Sequence, residues 1–177
     1  ASLKLTEAEK DAFRAEGRQG YWRFQLHQNR IEWPDGILGD ISIDAASVSD
    51  PVLIRADGQV LYTFASSVDD IDMGVTFIVR GADHVTNTAT QIQIMQAMGG
   101  TPPNFAHTTL LVGADGQGLS KRLGSLSIEQ LRADGYEPLA VVSHLARIGT
   151  SDPLEPAASI EALAGDFAFG KMAHRAA

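Results

Sequence analysis

The segment Gly113-Ala114-Asp115-Gly116-Gln117-Gly118-Leu119-Ser120-Lys121-Arg122-Leu123-Gly124 sets glycines, a hydroxyl and two adjacent cations directly after an apolar run, Leu110-Leu111-Val112. Glycine lets the backbone approach a ligand closely, Ser120 can donate to a phosphoryl oxygen, and Lys121 and Arg122 can neutralise charge growing on a leaving group. Read from its residues alone, the segment is either a phosphate cradle or a surface loop that carries two cations. Gly113 and Gly118 have the separation of a P-loop, but Leu119 stands where the lysine of G-x-x-x-x-G-K-[ST] must be, which disfavours a Walker-type nucleotidase.

A second chemical candidate is Arg80, which follows the β-branched and aromatic run Val75-Thr76-Phe77-Ile78-Val79. Its planar fork can read a carboxylate at two points, or it can form a structural ion pair with Asp69 or Asp70. Asp69, Asp70 and Asp72 cluster at an expected helix end, where capping and solvation account for them better than metal binding or acid–base work. The histidines His27, His84, His107, His144 and His174 show no H-E-x-x-H spacing, so no metal site is expected. His84, just after Arg80, is the one kept as a ligand candidate; His144 reads as a partly buried residue on an apolar helix.

These groups need elements to hold them. Thr6-Glu7-Ala8-Glu9 reads as a capping box opening a helix through about Glu16, with Gly17 as its stop. Trp22, Phe24 and Leu26 alternate with polar neighbours as a strand does, and Pro34-Asp35-Gly36 turns the chain toward a strand near Ile41-Ser42-Ile43. Asp57-Gly58 between Val52–Arg55 and Val60–Tyr62 predicts a hairpin. A helix from about Thr63 to Gly74 then places Tyr62, Ser66 and Asp69 on one face.

Val75–Val79 reads as a buried parallel strand ending at Arg80, and a helix from Thr86 or Asn87 follows, with Ile92, Met95 and Met98 inward and Gly99-Gly100 as its stop. Phe105–Val112 supplies the next strand. Strand, helix and strand make a βαβ unit, and open α/β sheets gather ligands beyond the carboxyl ends of their strands, which puts Arg80 and the glycine-rich loop on one edge. Ser127-Ile128-Glu129-Gln130 is a second capping box, with helices to Asp134, from Pro138 to Ile148 and from Ser159 to Ala164.

Composition narrows the field. The 177 residues suit one domain or slightly more, and 44% hydrophobic with 20% charged residues is ordinary for a globular protein. A net charge of −8 argues against non-specific wrapping of nucleic acid, so any RNA contact must be local. There is no cysteine, no apolar stretch approaches the roughly 18 residues of a membrane span, and no signal-peptide pattern opens the chain. A cytoplasmic protein without membrane contact is expected. Ala1 is not a methionine and the chain stops soon after Phe167–Met172, so both ends read as cut.

Three segments carry a resemblance. Tyr62-Thr63-Phe64-Ala65-Ser66-Ser67-Val68-Asp69-Asp70-Ile71-Asp72-Met73-Gly74-Val75-Thr76 is similar to the block Y-x-x-A-x-V-V-D-D-x-x-M-G-[IV]-T. Val79-Arg80-Gly81-Ala82-Asp83-His84-Val85-Thr86-Asn87-Thr88 resembles I-R-G-E-D-H-L-S-N-T. Gly118-Leu119-Ser120-Lys121-Arg122 resembles a KMSKS signature. Together with Asp134-Gly135-Tyr136-Glu137-Pro138, their order and spacing resemble the bacterial glutamyl-tRNA synthetases, a class I aminoacyl-tRNA synthetase family, from about Thr6 to Lys171.

The resemblance implies an α/β fold: the second half of a Rossmann-like nucleotide fold, part of an antiparallel α+β acceptor-binding insertion, and C-terminal helices. Residues 1–61 would end the insertion, 62–125 would hold the nucleotide-fold half with the signature loop, and 126–177 would begin a helical stem-contact region. It implies ATP and Mg²⁺ as cofactors, and L-glutamate and tRNA(Glu) as partners. Arg80 would bind the side-chain carboxylate of glutamate, with Tyr62 and Ser66 lining the amino-acid pocket. Lys121 would be the catalytic cation, and Leu119, Ser120, Lys121, His84 and Leu111 would bind ATP. Gly118 replaces the first lysine of the signature, Ala82 replaces Glu, Ser66 stands where some members have Asn, and no His-Ile-Gly-His-type segment occurs. The chain alone is therefore expected to be inactive. The alternatives are a relative that glutamylates a modified tRNA base and a non-catalytic RNA-binding or regulatory module.

Overall fold

Thr6 accepts from the amide of Glu9, whose carboxylate accepts from the Thr6 amide at 2.8 Å, so the expected capping box opens α1 (Glu7–Ala15) in the computed structural model. The structure describes residues 2–112 and 127–172. Gly17 leaves the helix at a φ of +74°, a conformation that an L side chain resists.

The expected strand over Trp22–Leu26 is shorter than its alternation suggests. Only β1 (Trp22–Arg23) pairs, antiparallel to β4 (Val52–Ile54). Beyond it Phe24 donates to the Pro51 carbonyl and Leu26 to the Asp50 carboxylate, so a side chain replaces the ladder there. The Asp57-Gly58 hairpin forms as expected: Ile54 bridges Val60, and Gly58 turns at a φ of +85°. It delivers Leu61 as the N-cap of α2 (Tyr62–Asp72).

β2 (Arg30–Asp35) is a strand where only a turn at Pro34-Asp35-Gly36 is expected. Ile31, Trp33 and Asp35 are buried and Arg30, Glu32 and Pro34 exposed, the strict alternation of a half-covered strand. The chain turns at residues 36–38 into β3 (Gly39–Asp44). Gly36 is a close-approach glycine: its amide donates to the Phe105 carbonyl at 2.8 Å, and a Cβ there would meet Ala106 at 3.2 Å and Phe77 at 3.4 Å.

The larger sheet has the order β3-β2-β6-β5, where β5 is Phe77–Gly81 and β6 is Asn104–Thr108. β5 and β6 are parallel and in register from Phe77 opposite Asn104 to Gly81 opposite Thr108, and β2 runs parallel to β6 with Asp35 opposite Phe105. A 3-10 turn (Ala82–His84) and α3 (Val85–Ala97) connect β5 to β6, which is the expected βαβ order. β5 departs from a fully buried strand. It is the end strand of the order, and Phe77 and Val79 share a face that stays exposed, although Phe77 stacks on Phe169.

α3 is buried from Thr88 through Met95 without a break, so it has no polar face. Its buried glutamines are satisfied: the Gln93 amide accepts from His27 N and donates to the His27 carbonyl, and Gln91 donates to the Ser66 hydroxyl. Met95 is fully buried as expected, but Met98 is 41% exposed, because the helix has reached its Gly99 stop. In the C-terminal part, α4 (Ile128–Ala133), α5 (Pro138–Arg147) and α6 (Ile160–Asp166) form. Ser127 caps α4, but the Gln130 side chain bonds Asp134 instead of closing a capping box. His144 is exposed; its neighbour Ser143 is the buried residue, donating to the Leu139 carbonyl and accepting from Ala157 N.

Contacts group the residues into two units, Ala1–Ile31 with Ser42–Val75 and Thr86–Pro102, and Glu32–Ile41 with Thr76–Val85 and Pro103–Ala177. Inside the second, the Asp35 carboxylate accepts from the amides of Ile37, Leu38 and His107 through Oδ1 and meets His107 Nδ1 through Oδ2 at 2.5 Å. Both side chains are wholly buried. Burial alone would raise the Asp35 pKa, but the Leu38 amide, the imidazole and amide of His107, and the Ile37 amide together hold it below the ordinary aspartate value.

Replacing Met95 by Ala should cost about 2–5 kcal/mol in denaturant unfolding, whereas Met98→Ala should stay within about 0.5 kcal/mol. Because the Asp35 pKa is depressed on folding, its contribution is present at neutral pH and is lost as pH falls below the ordinary aspartate value. Asp35→Asn should therefore lower stability by about 1–3 kcal/mol at pH 7 and flatten the acid limb of the stability–pH curve. An unchanged acid limb would contradict this assignment.

Candidate functional site

Arg80 is the penultimate residue of β5, at the carboxyl end of a parallel strand, where the βαβ connection turns away. It is paired in register with His107 on β6. Its guanidinium lies over the Phe105 ring, 5.7 Å from Cζ to the centroid, and its carbonyl accepts from the Thr108 hydroxyl at 3.3 Å. A guanidinium over an aromatic face is attracted by the ring's quadrupole, which restrains where the cation sits. The residue is half-buried, which strengthens a charge contact.

His84 ends the 3-10 turn that follows β5 in the same unit, about one-third exposed, with Nε2 3.8 Å from the Asp83 carboxylate. Leu111 lies three residues beyond β6 and is half-buried. Arg80 lies at the carboxyl end of its strand, the edge expected for it, and His84 lies beyond that end; Leu111, expected inside a strand running to Val112, falls outside because β6 stops at Thr108. Leu119, Ser120 and Lys121, with the rest of the glycine-rich loop, lie outside the described residues.

In the other unit, Tyr62 and Ser66 sit one helical turn apart at the start of α2. Tyr62 is 54% exposed. The Ser66 hydroxyl donates to the Tyr62 carbonyl at 2.8 Å and accepts from Gln91 Nε2 at 2.7 Å, and Gln91 is itself buried. Ser66 is thereby locked in one rotamer. Among the described residues no group of three or more His, Cys, Asp or Glu side chains could hold a metal ion. No helix of the described residues is long and apolar enough to cross a membrane.

Asp35 and His107, which enter the sequence only as a turn residue and one of five scattered histidines, meet in the structure. They are separated by 72 positions, so no local spacing links them. The available signal is the buried-face alternation Ile31, Trp33, Asp35, which sets a carboxylate where an apolar residue is due and so demands a partner.

A family model described as tRNA synthetases class I (E and Q), catalytic domain, matches residues 1–164. The chain is 71% identical over 170 residues to a glutamate–tRNA ligase of Cereibacter sphaeroides, covering 96% of this chain and 38% of that protein. It is 68% identical over 172 residues to one from Paracoccus denitrificans, covering 97% of this chain and 39% of that protein. Among solved structures, a glutamate–tRNA synthetase from Elizabethkingia anophelis superposes with a TM-score of 0.82 at 26% identity, covering 99% of this chain and 40% of that one. A glutamate tRNA ligase from Elizabethkingia meningosepticum, solved in complex with its amino acid, superposes with a TM-score of 0.81 at 27% identity over 99% of this chain and 40% of that one. The chain spans about two-fifths of the length of these relatives. With its parallel βαβ core, its arginine at the strand end and this match along most of its length, the chain belongs to the catalytic domain of the class I tRNA synthetases for glutamate and glutamine.

Proposed function

We propose that the chain is the part of a glutamate–tRNA ligase that reads the amino acid and stabilises charge on ATP as glutamate is activated for transfer to tRNA(Glu). The observation that carries this is Arg80, its guanidinium over the Phe105 ring at the carboxyl end of β5, in a chain of this family. A guanidinium there can grip the side-chain carboxylate of glutamate at two points. Glutamine, whose amide would set N–H against N–H, leaves the cation unsatisfied and is rejected. Tyr62 and Ser66 are assigned to the amino-acid pocket. With its hydroxyl held by the Tyr62 carbonyl and Gln91, Ser66 serves as a fixed wall.

ATP supplies the phosphorus that the α-carboxylate attacks. His84, Leu111, Leu119 and Ser120 hold the nucleotide in this reading, and Lys121 stabilises the negative charge that grows on departing pyrophosphate. Mg²⁺ is assigned to the nucleotide's phosphates. With Gly118 in place of a signature lysine, Lys121 carries more of that charge. Residues 1–61 are assigned to the end of the acceptor-binding insertion, 62–125 to the nucleotide-fold half and 126–177 to the start of the stem-contact helices, in a cytoplasmic enzyme.

In a full-length protein containing this chain, Lys121→Ala should slow glutamate activation by about 100-fold or more while leaving glutamate binding within about twofold, measured by ATP–pyrophosphate exchange with tRNA present. Equal losses in rate and in glutamate affinity would contradict the role given to Lys121.

A further inference from the structure

Strand order puts Asp35, His107 and Arg80 on three adjacent strands, β2, β6 and β5, with the imidazole in the middle. Arg80 is opposite His107 in a parallel pair, Asp35 is opposite Phe105, and residues 105 and 107 share a face, so all four side chains project from one side of the sheet. The Phe105 and His107 rings stack with a 17° interplanar angle, and the Arg80 guanidinium lies over the first of them.

Asp35 fixes the middle member. Its Oδ1 already accepts from three amides, and an ionised Oδ2 can only accept, so the proton in the 2.5 Å contact sits on His107 Nδ1. Tautomer and ring plane are thereby set from the β2 side, while Arg80 lies on the β5 side. Neither Asp35 nor His107 has a role of its own in glutamate or ATP recognition.

We propose that the buried Asp35–His107 pair is a positioning device for Arg80: together with Phe105 it forms a pinned floor that holds the guanidinium fork in the one orientation that reads a carboxylate. This rests on the reading of Arg80 as the glutamate side-chain reader. Neither Asp35 nor His107 touches the substrate; both act through Arg80. Loosening the floor frees the guanidinium to turn, which weakens glutamate recognition and relaxes the rejection of glutamine, and leaves ATP recognition as it was.

The test uses Asp35→Asn, His107→Asn and Arg80→Lys in a full-length protein containing this chain. In His107→Asn the introduced amide nitrogen takes the place of the imidazole Nδ1 and keeps the bond to Asp35. That variant therefore removes the ring floor while retaining the tie between strands, and it carries the test if Asp35→Asn does not fold. Asp35→Asn, by offering an N–H to Nδ1, should move the ring proton to Nε2, visible in the ¹⁵N shifts of His107. Both variants should raise the KM for glutamate roughly tenfold and cut glutamate-over-glutamine selectivity by a similar factor, with the KM for ATP within about twofold. Glutamate and ATP constants moving together, or a glutamate KM unchanged in the folded variants, would overturn the proposal while Arg80→Lys still impairs glutamate use. If Arg80→Lys leaves glutamate use intact, the reading of Arg80 itself falls, and the positioning role with it.

Discussion

A carboxylate with no access to water organises this fold from within. Asp35 ends β2 on the buried face, and a lone charge there would be prohibitively costly. The cost is met by amides from its own turn, Ile37 and Leu38, and by both the amide and the ring of His107 on the neighbouring strand. One side chain therefore closes the β2 turn and clamps it to β6. The close approach of Gly36 to Phe105 and Ala106 follows from the same clamp, and a larger residue at position 36 would press against it.

With β6 fixed, its in-register pairing with β5 decides where Arg80 stands. The chemistry proposed for the chain depends on that placement more than on the basicity of the residue, since any exposed arginine can attract a carboxylate but only an oriented one distinguishes acid from amide. The other unit follows the same logic of locked polar groups: buried Gln91 and Gln93 hold Ser66 and the His27 backbone, so that a helix with no polar face still has its hydrogen bonds satisfied. Buried polar contacts fix β6 against β2 in one unit and Ser66 in the other, because they have direction where apolar packing has none.

Much of this is legible in the sequence where the signal is local. The Thr6–Glu9 capping box, the Asp57-Gly58 turn, the helix from Tyr62 and the β5–α3–β6 order all depend on residues within a few positions of one another. β2 escapes notice because Pro34 sits within it and reads as a turn, although its exposed position on the strand spares the buried face. Met98 is misplaced because α3 ends one residue before it, at the Gly99 stop, and His144 because the buried position of its helix is a serine. The Asp35–His107 pair cannot be read from spacing, since its members meet only once the sheet is assembled. The placement of Arg80 at a strand end is visible in the sequence; the aromatic face beneath it is not.

A crystal structure of a full-length protein containing this chain, with glutamate bound, would show whether Arg80 reads the side-chain carboxylate of glutamate. Two guanidinium nitrogens of Arg80 should then lie within about 3 Å of the two side-chain carboxylate oxygens, with the guanidinium still over Phe105. A bound glutamate whose side-chain carboxylate is held by another cation, with Arg80 turned away from it, would contradict this role.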